Sequence, residues 1–259
     1  MSPSNKPNPW ERYRFVVGFG VLLAFWIIVV DIGQWVSPLL VPPLGSVLER
    51  LGQLVLSGEL AQNTLATLGR WVQGFTLGVV AGTLAGLVLG VFPRVYAFAE
   101  GVIEFFRAMP VTAIFPLFLL MFGIGDESKI AMAFLPTFLL MLINASYGVL
   151  HASPERRRAM RIFGATRWQI FRHVVFFEAL PQIFIGLRLA LSLSLVVAVV
   201  AEMFIGTDTG LGQRIYDSYL TNSVTTLYAL LLVLGGLGYA LNKISMAIEH
   251  RVVDWAGKA

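Results

Sequence analysis

Cysteine is absent from all 259 residues, which excludes disulfides, thiolate metal ligands and cysteine nucleophiles. Charge is scarce as well. Asp, Glu, Lys and Arg make up 13% of the chain against 57% hydrophobic residues, far from the balance of a soluble globular domain. Histidine occurs three times, at His151, His173 and His250, with no H-E-x-x-H or other ligand spacing, and these residues read as interfacial bystanders. There is no G-x-x-x-x-G-K-[ST] phosphate loop, so the chain does not bind ATP in that way, and no G-x-S-x-G elbow. The expectation is a protein that is not an enzyme and carries no metal or cofactor. The net charge of +4 comes from basic residues in loops between apolar runs, not from one basic face, which argues against a nucleic-acid partner.

What is present is apolar sequence from end to end. It predicts an all-α fold: a polytopic transmembrane helical bundle of about six spans, in one domain over 15–250 between tails at 1–14 and 251–259. Span 1 covers 15–30, with Trp10 and Tyr13 placed for a headgroup interface and no small-residue cleavage site after Val30. Residues 37–60 open with prolines and turn amphipathic. Val47, Leu48, Leu51, Leu54 and Val55 fall at helical spacing opposite Glu49, Arg50 and Gln53, which predicts a helix lying along the membrane surface. Span 2 covers 71–91 and repeats glycine at every fourth position from Gly74 to Gly90. That stripe suits close helix packing, with a conformational hinge as the other reading.

A mixed segment over 93–107 precedes a short span 3 at 108–125, broken by Pro110 and Pro116. Irregular backbone at membrane depth survives where it is buried in protein or lines a cavity, so this span is either a pathway wall or a kinked packing helix. The GIGDESK segment reads as a tight turn. Span 4 (130–150) contains Pro136 and Asn144, span 5 covers 183–204, 207–223 reads as a polar loop with glycines, and span 6 covers 224–241. The Lys and Arg positions predict the orientation. Fourteen lie in the tails, the 2–3 loop and the 4–5 loop, and three (Arg50, Lys129, Arg214) in the opposite loops. Both termini and the loop over 151–182 are therefore expected in the cytoplasm.

That loop is the most cationic stretch of the chain. Ser153 is a good N-cap, Pro154 fits the first helical position and Glu155 suits the positive end of the helix dipole. Gly164 supplies a left-handed C-terminal turn, and Thr166 with Gln169 forms a capping box for a second helix from 167 to 173 and onward. Ala159, Met160, Ile162 and Phe163 give the first helix an apolar patch, with Arg157, Arg158 and Arg161 around it. Such a helix is either a docking element or a charged loop that only fixes orientation. Ionisable groups inside or near the bilayer are few: Asp31, Arg188 and Glu202. Such groups are functional candidates because burying them is costly. The other reading is that Arg188 snorkels to the cytoplasmic face and the two acids sit near the outer ends.

The loop resembles the signature loop of binding-protein-dependent ABC importer permeases, Glu-Ala-Ala, three residues, Gly, nine residues, Ile-x-Leu-Pro. Aligned on Gly164, the chain has Arg158-Ala159-Met160 and Val174-Val175-Phe176-Phe177, so the glycine and first alanine match. The signature glutamate is Arg158 here and the final proline is Phe177. Glu155 lies one turn earlier, a partial substitute for that carboxylate. These departures bear on any particular salt bridge but spare the helix–glycine–helix geometry. Further segments, FGATRWQIFRHVV, EALPQIFIGLRLALSLSLVVAVVAEM, TGLGQRIYDSYL, Arg107-Ala108-Met109-Pro110, GIGDESK and GELAQNTLATLGRWVQGF, are similar to the nitrate, sulfonate, taurine and bicarbonate subgroup over roughly 45–255.

The resemblance implies a multi-pass permease of a bacterial-type inner (plasma) membrane, moving a small solute, expected to be an anion. It implies as partners a second and usually identical permease, two cytoplasmic ATP-binding subunits, an external solute-binding protein and the lipid bilayer. The ATPase-coupling residues would be Glu155, Arg157, Arg158, Ala159, Met160, Ile162, Phe163, Gly164 and Ala165. Candidates for the translocation path are Arg107, Pro110, Asn144, Arg188 and Glu202. An ATP-independent channel or secondary carrier is the alternative. Against it, spans 2 to 4 lack the acidic midplane groups of ion relays. An intramembrane enzyme or scaffold is the third reading, and no catalytic constellation supports the enzyme.

Overall fold

The computed structural model describes residues 9–252. The outer parts of both tails, including Lys6 and Lys258, and the side chains of Trp10 and His250, lie outside the described residues. The described residues form helices joined by short links, with no strand among them. In order it forms α1 (Pro9–Trp26), continued by a π-helical turn at Ile27–Ile32, then α2 (Leu44–Leu56), α3 (Glu59–Val91) and α4 (Pro93–Ala108). A 3-10 turn at Val111–Ile114 leads to α5 (Phe115–Phe122), followed by α6 (Asp126–Leu150), α7 (Pro154–Ile162) and α8 (Arg167–Ile170). A π-helical turn at Phe171–Val175 joins α8 to α9 (Phe176–Ile205), and α10 (Leu211–Leu220) and α11 (Val224–Val252) follow.

Four helical stretches are long and apolar enough to cross a membrane: Glu59–Val91, Asp126–Leu150, Arg167–Ile205 and Val224–Glu249. The pair Pro93–Ala108 and Val111–Phe122 makes a fifth if its two arms are one span, and Val17–Ile32 is a shorter apolar helix. The pair bends by 86° at Met109–Pro110. Pro110 forces the residue before it out of the helical region, and Met109 is extended (φ −75°, ψ 131°). The irregularity expected of span 3 is therefore a corner between two helices, with the mixed 93–107 segment as its first arm.

α6 is the central helix, with α3 on one side and α9 on the other. The α3 contact runs along the glycine stripe. A Cβ on Gly74, Gly78, Gly82, Gly86 or Gly90 would lie within 3.0 Å of α6 atoms, backbone carbonyls of Phe134, Phe138, Leu142 and Ser146 among them. This is the packing reading of the stripe. Small residues let the two backbones touch, which replaces the hydrophobic effect as the source of helix association inside lipid. The α6–α9 contact repeats the device: Gly148 lies against Ala179, and Gly186 receives the side chain of Asn144. Ser146 Oγ also donates to Gly86 O across the α3–α6 interface at 3.1 Å.

Two segments differ from the sequence reading. Span 5 does not begin near 183 but continues from α8, as one 39-residue apolar stretch through the π turn. The helix started by the Thr166–Gln169 box therefore runs on into the span, and Ile170 and Val175 bury their side chains in the α6–α9 core. The 207–223 segment contains α10, which turns Leu211, Ile215 and Ser218 inward while Gln213 and Asp217 stay nearer the surface. α2 packs Val47 and Leu54 into a core shared with α10 and α11.

The stripe gives a direct test. Gly82→Val places two methyls against Phe138 and Met141, and overpacking of this kind costs on the order of 1–3 kcal/mol. Gly69→Ala on the same helix meets nothing within 4 Å and should be neutral, or stabilise by up to about 1 kcal/mol. Thermal unfolding of the purified variants in detergent separates the two. Equal losses would contradict the packing role.

Candidate functional site

The α7–α8 corner is built from local sequence. Ser153 caps α7 by accepting from the Arg156 N–H at 3.2 Å, and Pro154 occupies the first turn. The Glu155 carboxyl is held below its ordinary value by its own backbone N–H, then by the Ser153 hydroxyl and the nearby Arg158 charge. At the other end Gly164 is left-handed (φ +78°). Its N–H donates to Arg161 O, and the Ala165 N–H donates to Met160 O, both at 3.0 Å. This is a Schellman ending, closed by Met160 and Ala165 packing on the core. Thr166 and Gln169 then satisfy each other's backbone N–H groups in the capping box that starts α8.

Position along α7 decides what each residue faces. Ile162 and Phe163 are 84% and 86% exposed, with Arg158, Ala159 and Glu155 also at the surface. Arg157 instead turns inward and donates to Val149 O at the end of α6 at 2.5 Å. Glu178 on α9 secures the start of α7, accepting from the Ser153 N–H at 2.5 Å and from Arg156 at 2.8 Å. Glu178 was not singled out in the sequence. Its partners lie 22 and 25 positions away, and no local pattern marks it.

The candidate path residues are dispersed. No hydrogen bond or ion pair joins any two of them among the described residues. Arg107 is exposed on α4 and pairs with Glu104, and Pro110 sits at the 86° corner. Asn144 is buried, donating to Leu140 O and accepting from Gln182 Nε2 at 3.0 Å, so it clamps α6 to α9. Arg188 lies 3.5 Å from Glu249 and links α9 to α11.

Glu202 belongs to a cluster at the opposite end of the bundle from α7. Its side chain is 1% exposed, and one oxygen accepts from Arg70 Nη1 at 2.7 Å. The other accepts from Thr67 Oγ1 at 2.8 Å and from the Gly212 N–H at 3.0 Å. Arg70 also pairs with Asp126 at 2.7 Å and donates to Thr209 O and Thr207 Oγ1. Asn63 accepts from the Gly210 N–H at 2.8 Å, and a Cβ on Gly210 would collide with the Glu202 carboxylate. The cluster ties α3, α6, α9, α10 and the loop over 206–210 together. Arg70 went unrecognised in the sequence, although Asn63, Thr67 and Arg70 extend the glycine face of α3 by helical steps.

The family model of the binding-protein-dependent transport system inner membrane component matches residues 74–254. The chain is 31% identical to the taurine transport system permease protein TauC of Escherichia coli, over 92% of this chain and 88% of that protein. It is 32% identical to the riboflavin transport system permease protein RibX of Chloroflexus aurantiacus, over 95% and 91%. Its fold matches a solved chain of the MetNI methionine ABC transporter in an inward-facing conformation, with TM-score 0.67 and 22% identity, covering 76% of this chain and 97% of that one.

The buried cluster makes its own prediction. Glu202→Ala leaves Arg70 short of one carboxylate in a buried site, a loss on the order of 3–5 kcal/mol. The exposed Asp208→Ala, in the adjoining loop, should change nothing. A melting temperature for Glu202→Ala equal to that of the parent protein would contradict the anchoring role.

Proposed function

Because the chain belongs to the family of binding-protein-dependent transport system inner membrane components, we propose that it forms the translocation path of an ATP-driven importer and takes its drive from cytoplasmic ATPase subunits through the 153–164 helix. The observation that carries this reading is the pair Ile162 and Phe163, almost fully exposed at the end of a helix capped at both ends. Two large apolar side chains presented together on a polar corner suit a groove on a partner protein. Arg158 and Glu155 beside them suit complementary charges on its rim.

The proposed orientation puts this corner and both termini in the cytoplasm, following the distribution of Lys and Arg. A second permease copy, most simply an identical one, would complete the path, and an external binding protein would deliver the solute. Closure of the ATPase subunits would carry α7 with it. Glu178 and Arg157 fasten α7 to α9 and α6, so the push would pass into the central helices as a rigid-body movement. Among the path candidates, Pro110 and Arg107 at the α4–α5 corner and Arg188 are the ones with exposed surface to offer.

The solute we propose is a small anion such as nitrate, bicarbonate, a sulfonate or taurine, supported by the likeness to TauC. The equal likeness to RibX supports an uncharged or heterocyclic solute as the second reading. Binding of either class by the partner binding protein decides between them.

Gly164→Val tests the lever. A β-branched residue at φ +78° costs roughly 1–2 kcal/mol of backbone strain, enough to populate a different corner. Inserted protein should keep its normal level while uptake per ATP hydrolysed falls on the order of tenfold. Gly164→Asn, which tolerates the left-handed region, should fall much less. Full uptake by the valine variant would overturn the reading.

A further inference from the structure

Several arginines of this chain are neutralised by carboxylates: Arg70 by Glu202 and Asp126, Arg107 by Glu104, Arg156 by Glu178 and Arg188 by Glu249. Three that converge on one cavity are not. Arg157 and Arg161, one turn apart on α7, and Arg167 at the start of α8 line a space of about 630 Å³ beneath the α7–α8 corner, closed by the ends of α3 and α6. None of the three forms an ion pair among the described residues, and no Asp or Glu lines the cavity. The Arg157 Nε is buried with no hydrogen-bond partner, so a donor is held out of water and unused.

This cavity has an apolar extension. A second space of about 460 Å³ shares Val91, Phe92, Arg167 and Phe171 with the first. It then continues along the outer face of α3 past Val88, Leu87 and Leu84. Leu84 and Val88 are 60% and 58% exposed, on the side of α3 turned away from α6. The groove runs along α3 for about 12 Å, from Phe92 at its end to Leu84 within the apolar stretch Glu59–Val91, at 1.5 Å per residue. Trp168, 65% exposed, forms one wall, and an amphipathic ring of this kind suits a headgroup interface.

We propose that this arginine cavity and the groove continuing from it form a binding site for one anionic phospholipid. The phosphate lies against Arg157, Arg161 and Arg167, and an acyl chain lies along the α3 groove. A cluster of unpaired cations at a membrane boundary attracts acidic headgroups, and the apolar continuation fits a lipid and not a free anion. The bound lipid neutralises the base of α7 and fills the space behind it. The site depends only on the chain's place in a membrane, not on the coupling role of α7.

The test uses the full chain purified in detergent, stripped of lipid and titrated with phosphatidylglycerol, phosphatidylcholine or inorganic phosphate under native mass spectrometry. Phosphatidylglycerol should be retained well above phosphatidylcholine, and inorganic phosphate should not displace it. Arg161→Gln with Arg167→Gln, both exposed positions, should weaken phosphatidylglycerol about 30-fold, with helical content unchanged by circular dichroism. Val88→Trp, which obstructs the groove, should weaken it as well. Equal retention of phosphatidylcholine, displacement by inorganic phosphate, or unchanged binding by the double variant would each overturn the proposal.

Discussion

The structure depends on backbone-to-backbone contact between α3 and α6. Inside lipid, apolar side chains gain little by leaving one apolar medium for another, so close packing has to supply the association. Five glycines in register supply it, and Gly148 and Gly186 extend the same contact to α9. A slab of three touching backbones has no room to slide by fractions of a side chain. It moves as a unit or by a discrete step.

Both ends of that slab are fastened by polar groups. At one end Arg70 and Glu202 pull α3, α9, α10 and the start of α6 onto a single buried charge pair. At the other, Glu178 holds the start of α7 and Arg157 caps the end of α6. A buried pair contributes little net stability beyond an apolar substitute, but breaking it is expensive, so it fixes one arrangement of its neighbours. On the reading proposed for α7, this is what lets a push on Ile162 and Phe163 reach helices at membrane depth without being absorbed by loops. The α4–α5 corner buries only Ile103 and Ile114 along its length and leaves most of its apolar side chains facing outward.

Features encoded within a few residues were legible in the sequence. The glycine stripe, the Ser153 cap, the Thr166–Gln169 box and the left-handed Gly164 all depend on spacings of four residues or fewer. The all-α membrane fold and the family followed from composition and from the segments around the loop. What stayed hidden was long-range. Arg70 and Glu202 are 132 positions apart, and Glu202 alone resembled an acid near the outer end of a span. Glu178 meets Ser153 across 25 positions. α10 was obscured because Arg214 and Asp217 gave its short helix the composition of a loop, while its buried face consists of only a few residues.

The absence of cysteine allows the central claim, that α7 is the surface gripped by the ATPase, to be measured directly. A single cysteine at Phe163→Cys can be cross-linked site-specifically in the complex purified with its ATPase subunit, with Leu120→Cys on α5, 85% exposed, as the comparison position. The account expects an efficient cross-link from position 163 to the ATPase subunit, with a yield that changes when ATP binds, and none from position 120. A complex that co-purifies intact yet gives no cross-link from 163, or that cross-links from 120 instead, would contradict it.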